Sequence, residues 1–367
     1  MVAARRVVAA RRALAALAVL VLGVVAPSAR AQDKGTLRFA YLRLGWSGTE
    51  IIHQEKLLEN RGWNVEWSVI DPIPGLVNAF AAGHADVIDM STVLAGRMFE
   101  QGQKVQIFGV TTGPTTYVLV PTDSPIRSVP DLKGRKLGAI PGSSAFQEMN
   151  AYTRQLYNVD LTKDVALVTG MTPPDLATLI GKGEVDSVVV WHPVVDSLLA
   201  TRKFRVLTDQ DTLWRQSTKR SGEPVMVLYL TGADFARKHP EALRDINDAQ
   251  REAVEIWHTR PDVAARAIVA VTRLPRDVVE LAMRNTKKML HGLTDDSVET
   301  ILTQLRIARQ HGTILQSDCG RRRTAPGNCG TSSSTGAECG ARRADRYGPR
   351  WPCEPATAGA WGASAPG

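Results

Sequence analysis

Ala82-Gly83-His84-Ala85-Asp86-Val87-Ile88 and, one hundred residues later, Lys182-Gly183-Glu184-Val185-Asp186-Ser187-Val188 carry one local pattern twice. Each closes an amphipathic run with a glycine, sets an aspartate three residues on, and enters a run of buried-type strand residues. Glycine just past the last periodic residue is a helix stop, so the pattern predicts the same helix-to-strand turn in two places. The strands so begun finish at Ser91-Thr92 in one copy and at Trp191-His192-Pro193 in the other. Two copies of a common α/β turn arising by chance is the competing reading.

The alternation extends outward on both sides. Thr36–Tyr41 reads as a strand, 42–46 as the loop after it, 49–60 as a helix stopped by Gly62, and Val65, Trp67 and Val69 as the inward positions of a second strand. Helix 73–82, strand 86–90, helix 93–101 and strand 105–110 follow. Short strands separated by helices imply parallel βαβ units, hence an α/β fold. In an open parallel sheet, ligands bind beyond the carboxyl ends of the strands. Two similar lobes facing each other would set Ser91-Thr92 and Trp191-His192 across one cleft.

The chain is expected to leave the first lobe through Pro121-Thr122-Asp123-Ser124-Pro125 and to return near 219–224, before a strand at 225–230. Two crossings suit a hinge that opens and closes on a ligand. Beyond the return come helices at 234–238, 240–258, 261–272, 275–286 and 295–310, with Pro240, Pro261 and Pro275 in first turns, where a missing N–H is harmless. The expected organisation is 1–31 as an export signal, 32–120 plus 222–316 as lobe 1 with a helical C-terminal region, 121–221 as lobe 2, and 317–367 as a disordered tail outside the functional unit.

Charge excludes one class of partner. The 367 residues carry 45 basic and 37 acidic side chains, a formal +8. Residues 1–31 hold five arginines and no acid, and 318–367 hold seven arginines and four acids, so 32–317 hold thirty-three of each sign. A neutral body offers no basic groove, and no nucleic-acid partner is expected. At the N-terminus, arginines precede the apolar run 13–26, and small residues stand before Ala31, as in a cleavable export signal. Fourteen apolar residues span about 21 Å as a helix, too short for a bilayer core of about 30 Å. All four cysteines (Cys319, Cys329, Cys339, Cys353) lie in the tail, without C-x-x-C spacing or a neighbouring histidine, and neither a zinc site nor a cofactor is expected.

The stretches Val77–Asp86, Ser128-Val129-Pro130-Asp131-Leu132-Lys133-Gly134, Pro141-Gly142-Ser143-Ser144-Ala145 and Gly183-Glu184-Val185-Asp186 running into Trp191-His192-Pro193 carry a resemblance, joined by Phe235–Glu241. Over about residues 35–312 the chain resembles the periplasmic substrate-binding proteins of nitrate, sulfonate and taurine ABC importers, including their thiamine-precursor branch. The resemblance implies a type II periplasmic-binding fold with two α/β lobes and two hinge crossovers. It also implies a periplasmic, monomeric receptor that hands a small organic anion to an ABC permease and its ATPase. The loop 44–46 and the stretch Thr111-Thr112-Gly113-Pro114 match no one ligand subgroup.

Candidate ligand contacts follow from strand ends and helix starts. Gly142, Ser143 and Ser144 precede a helix expected near Ala145, whose N-terminal N–H groups and positive dipole end suit an anion. Alternatively, Ser144 to Gln147 form a capping box serving the helix alone. Ser91 and Thr92 stand at the equivalent point of lobe 1, as contacts or as an N-cap. Trp46 and Trp191 pack against an organic ligand body or serve as core or rim aromatics. Thr111 and Thr112 are weaker hydroxyl candidates. His192 is a ligand contact or a hydrogen-bonding residue of the hinge, and Glu223 pairs with a ligand ammonium or lies in a solvated loop.

The resemblance also covers enzymes on the same scaffold that use cysteine. Residues 32–316 contain no cysteine, and no phosphate loop, G-x-S-x-G elbow or H-E-x-x-H is present. A binder is expected, not an enzyme. A thiamine-precursor pyrimidine binder, a non-transport sensor and an enzyme on the same scaffold remain as alternatives.

Overall fold

The structure, a computed structural model, describes residues 33–314 apart from Pro72, Met171 and Lys287. The expected export signal (1–31) and tail (317–367), with the four cysteines, lie outside the described residues.

Among the described residues, ten strands form two five-stranded sheets. The first half supplies β1 (Thr36–Tyr41), α1 (Gly48–Gln54), β2 (Asn64–Val69), α2 (Ile73–Ala81), β3 (Val87–Ser91), α3 (Thr92–Glu100) and β4 (Val105–Thr112). The middle supplies β5 (Thr116–Pro121), β6 (Lys136–Ala139), α4 (Ser144–Tyr157), β7 (Ala166–Thr169), α5 (Pro173–Gly181), β8 (Ser187–Trp191), α6 (Val194–Ala200), β9 (Phe204–Asp209) and α7 (Gln210–Thr218). The chain then returns through β10 (Val227–Gly232) to α8 (Ala233–Lys238), α9 (Pro240–Thr259), α10 (Pro261–Thr272), α11 (Arg276–Asn285) and α12 (Asp295–Gln310). The sheet orders are β2-β1-β3-β10-β4 and β7-β6-β8-β5-β9.

The repeated turn is real down to its hydrogen bonds. Asp86 N–H donates to Arg38 O at 2.8 Å and its Oδ2 accepts from Arg38 N–H at 3.0 Å. Asp186 N–H donates to Lys136 O at 2.9 Å and its Oδ2 accepts from Lys136 N–H at 2.8 Å. Each aspartate thus stitches an incoming strand to the start of its neighbour. Gly83 and Gly183 sit at φ 74° and 71°, the left-handed region that a side chain resists.

The expectation of parallel strands holds for β1 with β2 and β3 and for β6 with β7 and β8. Two strands run the other way. β10 is antiparallel to β3 and β4, and β5 is antiparallel to β8 and β9. Both are the strands by which the chain enters a sheet after crossing from the other. Strand carboxyl ends face the opposing sheet, so a strand that begins there has to run back along the others. The first crossing is the short link from Thr112 to Thr116, ahead of the expected 121–125 connection, and the return falls between Thr218 and Val227.

Period-two alternation sorts each sheet's side chains. Leu37, Phe39, Tyr41 and Val87 enter one apolar cluster with α1, α9 and α10, while Ala40, Ile88 and Met90 enter another with α2 and α3. In the second sheet, Val118, Val120 and Val189 face α4 and α7, and Leu119, Val188 and Val190 face α5 and α6. Each fully buried Val, Leu, Ile, Phe or Met among them contributes about 1.5–3 kcal/mol. The helix expected over 49–60 ends at Gln54. Lys56 turns left-handed (φ 54°), and Leu57 and Leu58 both drop into the core before a 3-10 turn at Glu59–Arg61.

Candidate functional site

The end of β3 meets the start of α4 on the second sheet. Ser91 is the N-cap residue of α3 but makes no capping bond. Its Oγ instead lies 2.5 Å from Ser144 Oγ, in the first turn of α4 on the other sheet. Two helix N-termini of nine and fourteen residues therefore point at one pair of hydroxyls. Aligned N–H groups give each terminus about half a positive charge, which favours an anion nearby.

The neighbouring candidates divide. Ser143, not Ser144, caps α4: its Oγ accepts from Phe146 N–H at 3.2 Å and donates to Ile140 O at 2.7 Å. Gln147 donates to Pro141 O, so the expected Ser144–Gln147 capping box does not form. Gly142 is exposed, and a Cβ there would meet nothing within 4 Å, so no close approach of this structure depends on it. Thr92 Oγ1 donates to Val225 O at 2.6 Å, and its N–H donates to Met226 O at 3.2 Å, tying α3 to the return crossing. Thr112 is buried at the end of β4. Its carbonyl accepts from Met226 N–H at 2.9 Å, and its hydroxyl meets Thr111 Oγ1 at 3.3 Å.

Trp46 is 1% exposed, in the apolar cluster that also takes Ala145 of α4 and Met226, with Trp191 packed against it. Its loop is anchored from beneath by two buried acids. Glu50 accepts from Gly45 N–H at 2.7 Å and Ser47 N–H at 3.1 Å, and Asp89 accepts from Leu42 N–H at 3.4 Å. Burial pushes the Glu50 carboxyl up to about 8 and that of Asp89 up to about 7.

His192 is 2% exposed, with Nδ1 2.6 Å from Asp196 Oδ2 and its ring edge-on to Tyr117. Asp196 Oδ1 accepts from Asn285 Nδ2 at 2.6 Å. Glu223 is already paired, with Lys288 Nζ at 2.6 Å and Arg215 at 3.5 Å, so a protein cation takes the place expected for a ligand ammonium.

Several buried polar atoms around these loops have no hydrogen-bond partner: Trp46 Nε1, Thr115 Oγ1, Thr116 Oγ1 and His192 Nε2. Thr116 pairs with Trp191 across β5 and β8, and the loop at Gly45 comes within 3.9 Å of Pro193, measured from the position a Cβ would occupy. A buried polar atom left unpaired is costly, and here four gather where the two sheets approach.

Sequence reasoning passed over Thr115, Thr116, Asp89 and Glu148. The signal for Asp89 was a lone acid inside the apolar strand 87–90. Glu148 is buried between Gln210, which donates to its Oε2, and Gln304, which donates to its Oε1 at 3.3 Å. Gln304 also accepts from Val225 N–H at 2.9 Å and donates to Val225 O at 3.0 Å. Gln210 Oε1 accepts from Thr115 N–H at 3.4 Å. One carboxyl thus ties α4 to both crossings, and burial pushes it up to about 8.

A depression of about 570 Å³ lies at the far end of the first sheet, over Arg38, Asp86, Lys104 and Phe235. Arg38 is already committed there to Asp86 and Gly83 O. Among the described residues no group of three His, Cys, Asp or Glu could hold a metal ion, and no helix is long and apolar enough to cross a membrane.

Comparison with known proteins bears on the family and the fold. The profile of a family described as ABC transporter, phosphonate, periplasmic substrate-binding protein matches residues 54–281. The taurine-binding periplasmic protein of Escherichia coli (strain K12) is 21% identical over 264 residues, covering 69% of this chain and 79% of that one. A putative aliphatic sulfonates-binding protein of the same organism is 25% identical over 249 residues, covering 66% and 73%. The crystal structure of the periplasmic aliphatic sulphonate binding protein of E. coli superposes with a TM-score of 0.66 at 21% identity, over 77% of this chain and 94% of that one. The alkanesulfonate-binding protein of Xanthomonas axonopodis pv. citri, bound to MOPS, gives 0.65 at 18% identity, over 78% and 96%. The fold is the type II periplasmic-binding fold that the resemblance implied.

Proposed function

The chain belongs to the family of phosphonate-type periplasmic substrate-binding proteins of ABC transporters, and on that footing we propose that it is a receptor for a small organic anion of the sulfonate class. Taurine and alkanesulfonates are the leading ligands, captured in the periplasm between the two sheets and handed unaltered to a permease and its ATPase. The observation that carries the reading is the meeting of two helix N-termini at Ser91 and Ser144, together with buried, unpaired Trp46 Nε1, Thr115 Oγ1, Thr116 Oγ1 and His192 Nε2 at the crossing and strand ends of the two sheets. Together they offer hydroxyl and indole donors and two positive dipole ends without an arginine. Such a set suits a monovalent anion, with no permanently charged guanidinium to desolvate beside it. The aromatic rings of Trp46 and Trp191 supply an apolar wall for an organic body. The names of the relatives, which bind taurine and aliphatic sulfonates, favour the same class.

A thermal-shift panel on the full chain tests this, with taurine, alkanesulfonates, aromatic sulfonates, phosphonates, nitrate and pyrimidines. A ligand at one hundred times its Kd adds about 2.7 kcal/mol to stability, so a sulfonate should raise the melting temperature by several degrees. A shift by pyrimidines alone, or by nothing in the panel, would overturn the assignment.

A further inference from the structure

The His192–Asp196–Asn285 chain carries an inference that rests on the anion reading above and deepens it. Asp196 is 1% exposed; its Oδ1 accepts from Asn285 Nδ2 at 2.6 Å, and its Oδ2 lies 2.6 Å from His192 Nδ1. An ionised Asp196 would set the proton of His192 on Nδ1 and leave Nε2, which is buried and without a partner, as the other end of the ring.

The surroundings hold little to balance that carboxylate. Among the described residues its one ion pair is with His192. Tyr117, edge-on to the imidazole, is a phenol pushed up to about 12, first by burial and then by Asp209, Asp196 and Asp211. From α11 comes the uncharged amide of Asn285. The opposing loop at Gly45, which approaches Pro193, is backed by Glu50, a second acid.

An anionic ligand oxygen against a neutral His192 would meet the bare lone pair of Nε2, with the Asp196 charge one ring behind it. Both contacts are repulsive in a buried site. A proton on Nε2 converts the row into carboxylate, imidazolium and ligand anion, with alternating charges and a hydrogen bond at each junction. We propose that His192 is the specificity-determining residue of the site. It binds the ligand as an imidazolium donating from Nε2, so the site selects an anion that brings no acidic proton of its own, as a sulfonate does. An anion still carrying an acidic O–H, such as a half-protonated phosphonate, could instead donate to the neutral ring.

The test uses the full-length protein labelled with 15N-histidine, titrated with taurine and separately with pentanesulfonate. In the loaded protein, His192, assigned by comparison with His192→Gln, should show two protonated-type ring nitrogens. Wild-type affinity should fall by up to about tenfold per pH unit on the alkaline limb, as one linked proton requires. His192→Gln should bind at least tenfold more weakly and lose that limb. Asp196→Asn, which keeps a side chain of the same shape, should move the limb to lower pH, and it serves where His192→Gln fails to fold. Tight binding of either sulfonate to a His192 with a bare Nε2, or an unchanged pH profile in Asp196→Asn, overturns the inference while leaving the receptor intact. Absence of binding by any anion overturns the receptor reading itself.

Discussion

Ser91 Oγ and Ser144 Oγ lie 2.5 Å apart, one at the end of a strand in the first sheet and the other in the first turn of a helix on the second. The contact joins residues 53 positions apart in the chain and spans the space between the sheets. Either Ser91→Ala or Ser144→Ala should weaken sulfonate binding about tenfold, the scale of one hydrogen bond to a charged group. The double variant should cost less than the sum, because both act on a shared contact. Calorimetry decides. Unchanged affinity in both single variants would make the pair a latch and no part of the ligand site.

Trp46→Phe separates the ring from its N–H. Trp46 Nε1 has no protein partner, so the unliganded protein should lose only the packing of the trimmed ring, about 1–2 kcal/mol. Ligand affinity should nevertheless drop several-fold. Equal loss of stability in the free and loaded forms would assign the indole to packing alone.

Gln304 satisfies both backbone groups of Val225 and one oxygen of Glu148. Gln304→Leu strands buried polar atoms at the return crossing and should cost about 2–4 kcal/mol. Urea unfolding should show a lower midpoint with an unchanged m value.

Glu148 makes stability depend on pH in a stated direction. Burial lifts its carboxyl to about 8 in the folded protein, against about 4.3 for an ordinary glutamate. Between those values the folded state keeps a proton that the unfolded chain has lost. The contribution is therefore complete below the ordinary carboxyl range and drains away as pH rises toward 8. Its slope is at most about 1.4 kcal/mol per pH unit. Glu148→Gln should flatten the stability profile over that window, read by thermal melts across pH. A profile as steep as wild type would show that the proton resides elsewhere, with Glu50 and Asp89 the next groups to replace.

Local chemistry was legible in the sequence, and partnership was not. Gly83 and Gly183 announced their turns because a left-handed glycine acts within its own few residues, whereas the strands that Asp86 and Asp186 bond, 48 and 50 residues away, carried no local signal. The directions of β5 and β10 were hidden, since a strand's direction depends on the side from which the chain arrives. Thr111 and Thr112 read as a loop after β4 but lie within it, where β10 pairs alongside. Adjacent serines left the cap of α4 ambiguous by one residue, and the hydroxyl bonded to Phe146 N–H is that of Ser143. Glu148 carried no signal at all, because the amides that enclose it come from 62 and 156 residues away.

The twin aspartate turns sit where β3 and β8 begin, while Ser91 and Trp191 stand where those strands finish, about 17 Å along the backbone. Stitching and the proposed recognition site thus occupy opposite rims of each half. Changes at that distance tend to add without interfering. A lineage could therefore exchange one cargo for another by rewriting the inner loops, while the scaffold that aims them is inherited untouched.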